Sequence, residues 1–208
     1  MNAFVYVEGG PSGPHSKEGT IRCREGFHKL LGNLGFSGRM PRLVPLGGRQ
    51  AVYDRFVTEH GKESGSYIAM WIDSEEPMGN IEAAWDHLEG VQTVGTWHRP
   101  PGADDNQVLF MTTCMETWIV ADRDTMKAHY GHKLQISGLP SLAGLEQRSR
   151  HDVQDRLFHA TRECANAYSK GTRSFEILGK LMPAALEPWL ESFVRVRRIL
   201  DKKLVTPS

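Results

Sequence analysis

The sequence predicts an α/β protein with a doubly wound, mainly parallel sheet and a C-terminal helical extension. Three observations lead there. Short apolar runs alternate with helix-patterned segments through the first two thirds of the chain. Several of those apolar runs end in carboxylates or glycines, as strands do when they feed loops at one edge of a sheet. The last third carries helical patterning with no strand between its segments.

The elements follow in order. Ala3–Val7 reads as a short buried strand, and Glu18–Leu34 as a helix with Phe27, Leu30, Leu31 and Leu34 at helical spacing. Gly35 supplies a stop signal. Pro41–Gly48 is a second strand ending in glycines, and "RQAVYDRFVTEH" a helix with Val52, Phe56 and Val57 on one face. Ser66–Pro77 is the best strand and ends in an acidic cluster; Ile81–Leu88 reads as a short helix. His98–Gln107 is a loop by its proline, glycine and aspartate content. "VLFMTTCM" is a fourth strand, followed by a helix from Glu116 that closes at Gly131. Asp152–Tyr168, Phe175–Leu181 and Pro183–Leu204 read as helices. The division expected is an α/β domain over residues 1–133 and a helical extension over 134–208 packed on it, with Leu134–Leu145 as the linker.

Composition narrows the function classes. The 208 residues suffice for one α/β domain with a full core. Lys plus Arg equals Asp plus Glu at 25 each, so net charge implies no nucleic-acid partner and any basic surface is local. Three dispersed cysteines, Cys23, Cys114 and Cys164, form neither a disulfide framework nor a zinc ribbon, and point to a reducing, cytoplasmic setting. No apolar stretch approaches the roughly 20 residues of a membrane span, and no signal peptide is visible.

"FVYVEGGPSG", Phe4–Gly13, raises the first chemical question. It is not a Walker loop: counted from Gly10, His15 stands where the second glycine belongs, and no Lys-Ser/Thr pair follows. The glycines at 9, 10 and 13 also miss G-x-G-x-x-G. A glycine-rich turn explains the glycines but not a carboxylate, Glu8, at the end of a buried strand. "IDSEE" places Asp73, Glu75 and Glu76 at the end of another. Strand alternation lets Asp73 and Glu75 point the same way, while Glu76 leaves with the turn. If the two strands are neighbours, Glu8, Asp73 and Glu75 converge on one crevice. Three carboxylates there need compensation, and a hard divalent cation, Mg²⁺ or Mn²⁺, is the usual one. Metal-assisted phosphoryl chemistry follows as the economical reading; a merely solvated acidic strand end is the bland one.

At these residues the chain resembles the Toprim domain of topoisomerases, primases and overcoming-lysogenization-defect nucleases. More closely it resembles a Toprim-like family of small bacterial proteins described as a domain of unknown function. The segments "VEGG", "CREGF", "GRMPRLVPLGGRQAVYDRF", "IDSEEP", "HRPPGADDNQ", "CMETWIVADRD" and "KGTRSFEIL" carry that resemblance, in order, over most of the chain. It implies Glu8 as the general acid/base or metal-facing carboxylate and Asp73 and Glu75 as the metal pair. Asp-x-Glu stands here where the superfamily usually has Asp-x-Asp; the longer side chain can shift the metal. The family resembles the nuclease half of anti-phage defence pairs whose other half is an ABC-type ATPase. The implied partners are therefore DNA or RNA, transfer RNA included, and that ATPase; a homodimer is compatible, and a membrane is not implied. Two other functions stay open: a non-catalytic partner subunit or adaptor of the ATPase, and a small-molecule phosphohydrolase, which would need a closed pocket.

Further residues have a functional and a bland reading each. Glu116 is at ease near a helix N-terminus without any function, yet following a strand it can join the crevice as an outer ligand. Arg49, after "GG", can contact a phosphate or be a solvated first-turn arginine. Lys170 and Arg173 can touch a nucleic-acid backbone, with Ser174 a plain helix start. Asp104 and Asp105 suit an Asx turn. His129 and His132 lack two further ligands for zinc. Trp189, Phe193, Val196 and Leu200 form a packing stripe, leaving Arg195, Arg198 and Lys202 as a basic face.

Overall fold

A computed structural model describes residues 2–10, 17–62, 65–90 and 97–204. Within them the first part of the chain runs β1 (Ala3–Val7), α1 (Lys17–Asn33), β2 (Arg42–Pro45), α2 (Arg49–His60), β3 (Tyr67–Asp73), α3 (Ala84–Gly90) and β4 (Val108–Met111). Helices follow: α4 (Met115–Ala121), α5 (Arg123–Tyr130), α6 (Arg150–Thr161), α7 (Thr172–Leu178), α8 (Pro183–Leu186) and α9 (Glu191–Lys203).

The four strands form one all-parallel sheet in the order β2-β1-β3-β4. Their side chains alternate between two apolar layers, as the period of a strand requires. Val5, Val7, Ala69, Trp71, Leu109 and Met111 face α1, where Cys23, Phe27, Leu30 and Leu31 meet them. Tyr6, Ile68, Met70, Ile72, Val108 and Phe110 face the other way, onto Val52 and Phe56 of α2 and Trp85 and Leu88 of α3. Helices on both faces explain why these strands read as continuous apolar runs. This is the doubly wound α/β arrangement. The chain leaves β1 toward β2 on one side, then crosses to β3 on the other. The crevice at the carboxyl ends of β1 and β3 is therefore the topological switch point, where open α/β sheets bind ligands.

The later helices join the α1 side. Every residue of α4 is buried. Trp118 packs edge-on against Phe193 of α9 at 5.1 Å and donates its indole N–H to Ser192 Oγ at 2.9 Å. Phe175 of α7 lies over α1, where a Cβ on Gly26 would come within 2.5 Å of the Phe175 carbonyl oxygen. Residues 134–145 put Leu134, Leu139 and Leu145 into the same apolar layer.

Several expected elements are divided or shortened. The helix expected from Glu116 to Gly131 breaks at Asp122, whose side chain caps α5 by accepting from Thr125 N at 2.9 Å. The helix expected over Pro183–Leu204 breaks before Pro188, which has no N–H for a helical bond. Trp189 consequently lies outside α9 and is exposed. Arg195 does not belong to a solvated basic face. It is 2% exposed and donates to the carbonyls of Val108 at 2.8 Å and Asp105 at 2.6 Å. Among the described residues no helix is long and apolar enough to cross a membrane.

Candidate metal centre

Glu8 is the first residue past β1. Its N–H donates to Trp71 O at 2.9 Å, carrying the ladder one step beyond the strand. Its side chain turns into the switch-point crevice, where Oε2 accepts from the Asp73 N–H at 3.1 Å. Asp73 closes β3, and its Oδ1 accepts from Met115 N, at the start of α4, at 2.9 Å. Glu75 arrives by a different route from strand alternation. The strand ends at Asp73, and Glu75 takes a left-handed backbone, φ 69°, held by its N–H on Thr113 O at 2.9 Å. That turn, rather than a pleat, aims it at the crevice, while Glu76 faces solvent. One oxygen from each of Glu8, Asp73 and Glu75 lies within 4.8 Å of the others.

Cations ring the carboxylates. Arg49, the first residue of α2, sets Nε 3.9 Å from Glu8 Oε2 and Nη1 3.4 Å from Glu75 Oε1. It is not a solvated first-turn arginine. Its side chain is 11% exposed, its guanidinium lies 5.2 Å over the ring of Trp97, and Trp97 stacks on Tyr53 at 4.5 Å. All three of its guanidinium nitrogens are buried without a hydrogen-bond acceptor. Arg150, the first residue of α6, pairs with Glu75 Oε2. Lys170, otherwise exposed, stands at the same opening.

Burial raises the Glu8 carboxyl above its ordinary range, against the pull of Arg49, the Asp73 N–H, Lys170 and Arg150. Burial raises Asp73 further, and the neighbouring Glu8 and Glu116 charges add to it. Carboxyls in this state take up a proton or a cation. The donor set is all oxygen, with no thiolate or imidazole, which suits a hard cation such as Mg²⁺ or Mn²⁺. The three residues therefore fit a divalent metal.

Glu116 lines the same opening but is engaged elsewhere. Its Oε1 accepts from the Tyr168 hydroxyl and its Oε2 from Gln154 Nε2 at 3.1 Å. Arg173, in the first turn of α7, is exposed and donates to Ala167 O at 3.1 Å in the preceding loop. Ser174 serves the start of α7 by bonding to both backbone groups of Gly171. Asp104 forms an Asx turn onto Asn106 N at 2.8 Å, and Asp105 accepts from Trp85 N at 2.9 Å. Asp122, besides capping α5, accepts from Met182 N at 2.9 Å. His129 sits 3.1 Å from Lys180 Nζ and joins no metal cluster among the described residues. The three cysteines are free and buried, and burial pushes the Cys23 thiol up to about 12.

The glycine loop after Glu8 is described as far as Gly10; residues 11–16 lie outside the described residues. In the described part, Gly9 and Gly47 exchange N–H···O bonds of 2.8 and 3.0 Å between the loops after β1 and β2. Those two amides tie loops together and are not offered to an anion.

Behind the carboxylates lies a cavity of about 430 Å³. Phe27, Trp71, Met111, Met115 and Phe175 form its apolar walls, and Asp73, Glu116 and Lys170 its polar ones. Arg150, Gln154, Tyr168 and Trp71 carried no signal in the sequence. Arg150, Gln154 and Tyr168 reach the site across dozens of residues, and no local pattern marks such an approach; Trp71 reads only as a core residue of its strand. No family model, curated protein or solved structure matches this chain.

Proposed function

We propose that the protein is a metal-dependent nuclease of Toprim type that hydrolyses nucleic-acid phosphodiesters with Mg²⁺ or Mn²⁺. One observation carries the reading: Glu8, Asp73 and Glu75 meet at the switch point of a parallel sheet with Arg49, Arg150 and Lys170 around them. Carboxylates alone repel a polyanion, and this surrounding charge favours one. A bound divalent cation supplies charge stabilisation at the scissile phosphate and lowers the pKa of its water. Asp73 and Glu75 would hold it. Arg49 keeps unspent N–H donors at the crevice, suited to a phosphate oxygen. Glu8 has Oε2 bonded to the Asp73 N–H, so Oε1 is the better-placed atom to take a proton from the attacking water. Burial raises the Glu8 pKa and so makes it a stronger base than an ordinary carboxylate. Unpaired, buried cysteines support a cytoplasmic setting. An anti-phage role and an ATPase partner rest on the family resemblance alone.

The cavity favours a second reading, a phosphohydrolase of small organic phosphates, because such sites enclose most of their ligand.

The test is cleavage of end-labelled DNA and RNA with and without Mg²⁺ or Mn²⁺, beside Glu8→Gln and Asp73→Asn. Loss of cleavage by about 100-fold or more in each folded variant is expected. Full activity in either one refutes the assignment.

A further inference from the structure

The carboxylates do not stand on an open strip of surface. Glu8 and Asp73, with Glu75 close beside them, line one end of the 430 Å³ cavity, a volume within the roughly 300–1,000 Å³ of small-ligand sites. The two ends differ in chemistry. At the mouth are Glu8, Asp73 and Lys170, which suit a phosphate and its cation. Further in are two aromatic rings of Phe27 and Phe175, the Trp71 indole and the thioethers of Met111 and Met115. Flat rings and polarisable sulfur suit a flat aromatic guest.

Two polar groups in these walls distinguish that guest from a plain hydrocarbon. Trp71 is 1% exposed, and its indole N–H has no acceptor. A buried donor left unpaired is costly, so an acceptor brought within its reach would be favoured. Glu116 is held still by Tyr168 and Gln154, each using one lone pair of a different oxygen. An ionised carboxylate has about four acceptor positions, so Glu116 retains capacity for a ligand N–H. A ring with an acceptor and a donor on its edge matches both; an alkyl chain matches neither.

The walls are also rigid parts of the fold. Phe175 is seated so closely that a Cβ on Gly9 would lie 2.7 Å from its Cζ. The cavity is thus formed by the packing of α7 on α1 and the end of β1.

We propose that this cavity receives the base of a single nucleotide whose phosphate lies at the carboxylate mouth. The inference rests on the phosphoesterase reading above and names its substrate class: a nucleotide drawn out of any stack, supplied as a strand end or as a free mononucleotide. A base enters such a pocket only when unstacked, where aromatic walls replace its former neighbours.

Calorimetric titration in Mg²⁺ tests it without reference to turnover. The probes are the common ribo- and deoxyribonucleoside 5′-monophosphates, with ribose 5-phosphate and inorganic phosphate as baselines. At least one mononucleotide is expected to bind about 10-fold or more tightly than ribose 5-phosphate, as base–aromatic stacking implies. Met115→Trp, which narrows the apolar part of the cavity, should reduce that advantage and leave ribose 5-phosphate and Mg²⁺ binding unchanged. Trp71→Phe removes little more than the N–H and should cost about 3- to 10-fold for the mononucleotide alone. It serves as the second variant should Met115→Trp fail to fold. Mononucleotides that bind no better than ribose 5-phosphate overturn the inference, and metal-dependent cleavage, if present, then survives it. Mononucleotide binding without cleavage supports the inference and refutes the nuclease reading. An oligonucleotide with free ends that displaces the mononucleotide, beside a closed dumbbell that does not, assigns the strand end as the source. Displacement by neither assigns the free nucleotide.

Discussion

At Asp73 the demands of a candidate metal centre and the stability of the fold are in conflict. Burial and the nearby Glu8 and Glu116 raise its folded-state pKa above the unfolded value. Below the unfolded carboxyl pKa of about 4 the group is protonated in both states and contributes no difference. As pH rises from there toward the folded pKa, the unfolded chain loses its proton first, and stability falls. Asp73→Asn keeps an acceptor for Met115 N and removes the ionisable group. Without metal at neutral pH, its Tm is expected to exceed the parent's by about 2–4 °C, the shift that 1 kcal/mol gives in a chain of this size. The gap should close below pH 4. Saturating Mg²⁺ should reverse it, since a ligand at 100 times its Kd stabilises by about 2.7 kcal/mol. Thermal scans across pH with and without Mg²⁺ check this; an Asp73→Asn variant that melts below the parent in EDTA at pH 7 contradicts the burial argument.

The arginine beside it makes a related point. Arg49 spans Glu8 and Glu75 while its plane lies over Trp97. Lysine has no plane to stack and no fork to bridge two carboxylates. Arg49→Lys is therefore expected to lower phosphate affinity at the site about 10-fold or more. Titration with inorganic phosphate in Mg²⁺ measures it; unchanged affinity removes Arg49 from the anion site.

Among the elements, α7 is the one on which the cavity depends, and its fit is decided on α1. Gly26 faces Phe175 so closely that any side chain must push the two helices apart. Gly26→Ala gains helix propensity of about 1 kcal/mol yet meets backbone at 2.5 Å. Overpacking of this kind costs about 1–3 kcal/mol. The expected net result is a lower Tm and a weaker mononucleotide complex together, read by thermal scan and calorimetry. A stabilised variant would mean that α7 shifts freely on α1.

At the level of the whole molecule, the helices after residue 133 complete the α1-side layer of the sheet. Trp118 depends on Phe193 and Ser192, and the start of β4 gives Val108 O to Arg195. A chain ending at residue 133 would expose α4, which is buried on every side and mostly apolar, and leave that carbonyl without its donor. Such a fragment is expected to show no cooperative thermal transition, although it holds all four strands and the three metal-centre carboxylates. A sharp two-state melt of the fragment would establish an independent α/β domain.

Much of this was legible along the chain. Alternating apolar and helical segments indicate an α/β fold, because a strand buried on both faces must be apolar throughout. Glu8 and Asp73 stand out because a carboxylate at the end of such a strand has no packing reason to be there. Other features had no local signature. The breaks at Asp122 and Pro188 depend on a cap and a missing N–H that short-range periodicity smooths over. Glu75 reaches the crevice through a left-handed turn, not through the alternation that suggested it. The burial of Arg49 and Arg195, the approach of Arg150 to Glu75, and the clasp of Tyr168 and Gln154 on Glu116 join residues far apart in the chain. By itself the sequence determined which segments form strands and helices and where charge meets apolar strand, since both follow from local pattern. Only the tertiary structure decided which charges are buried, which face one another and what space lies between them, because those depend on the packing of elements that no single segment encodes.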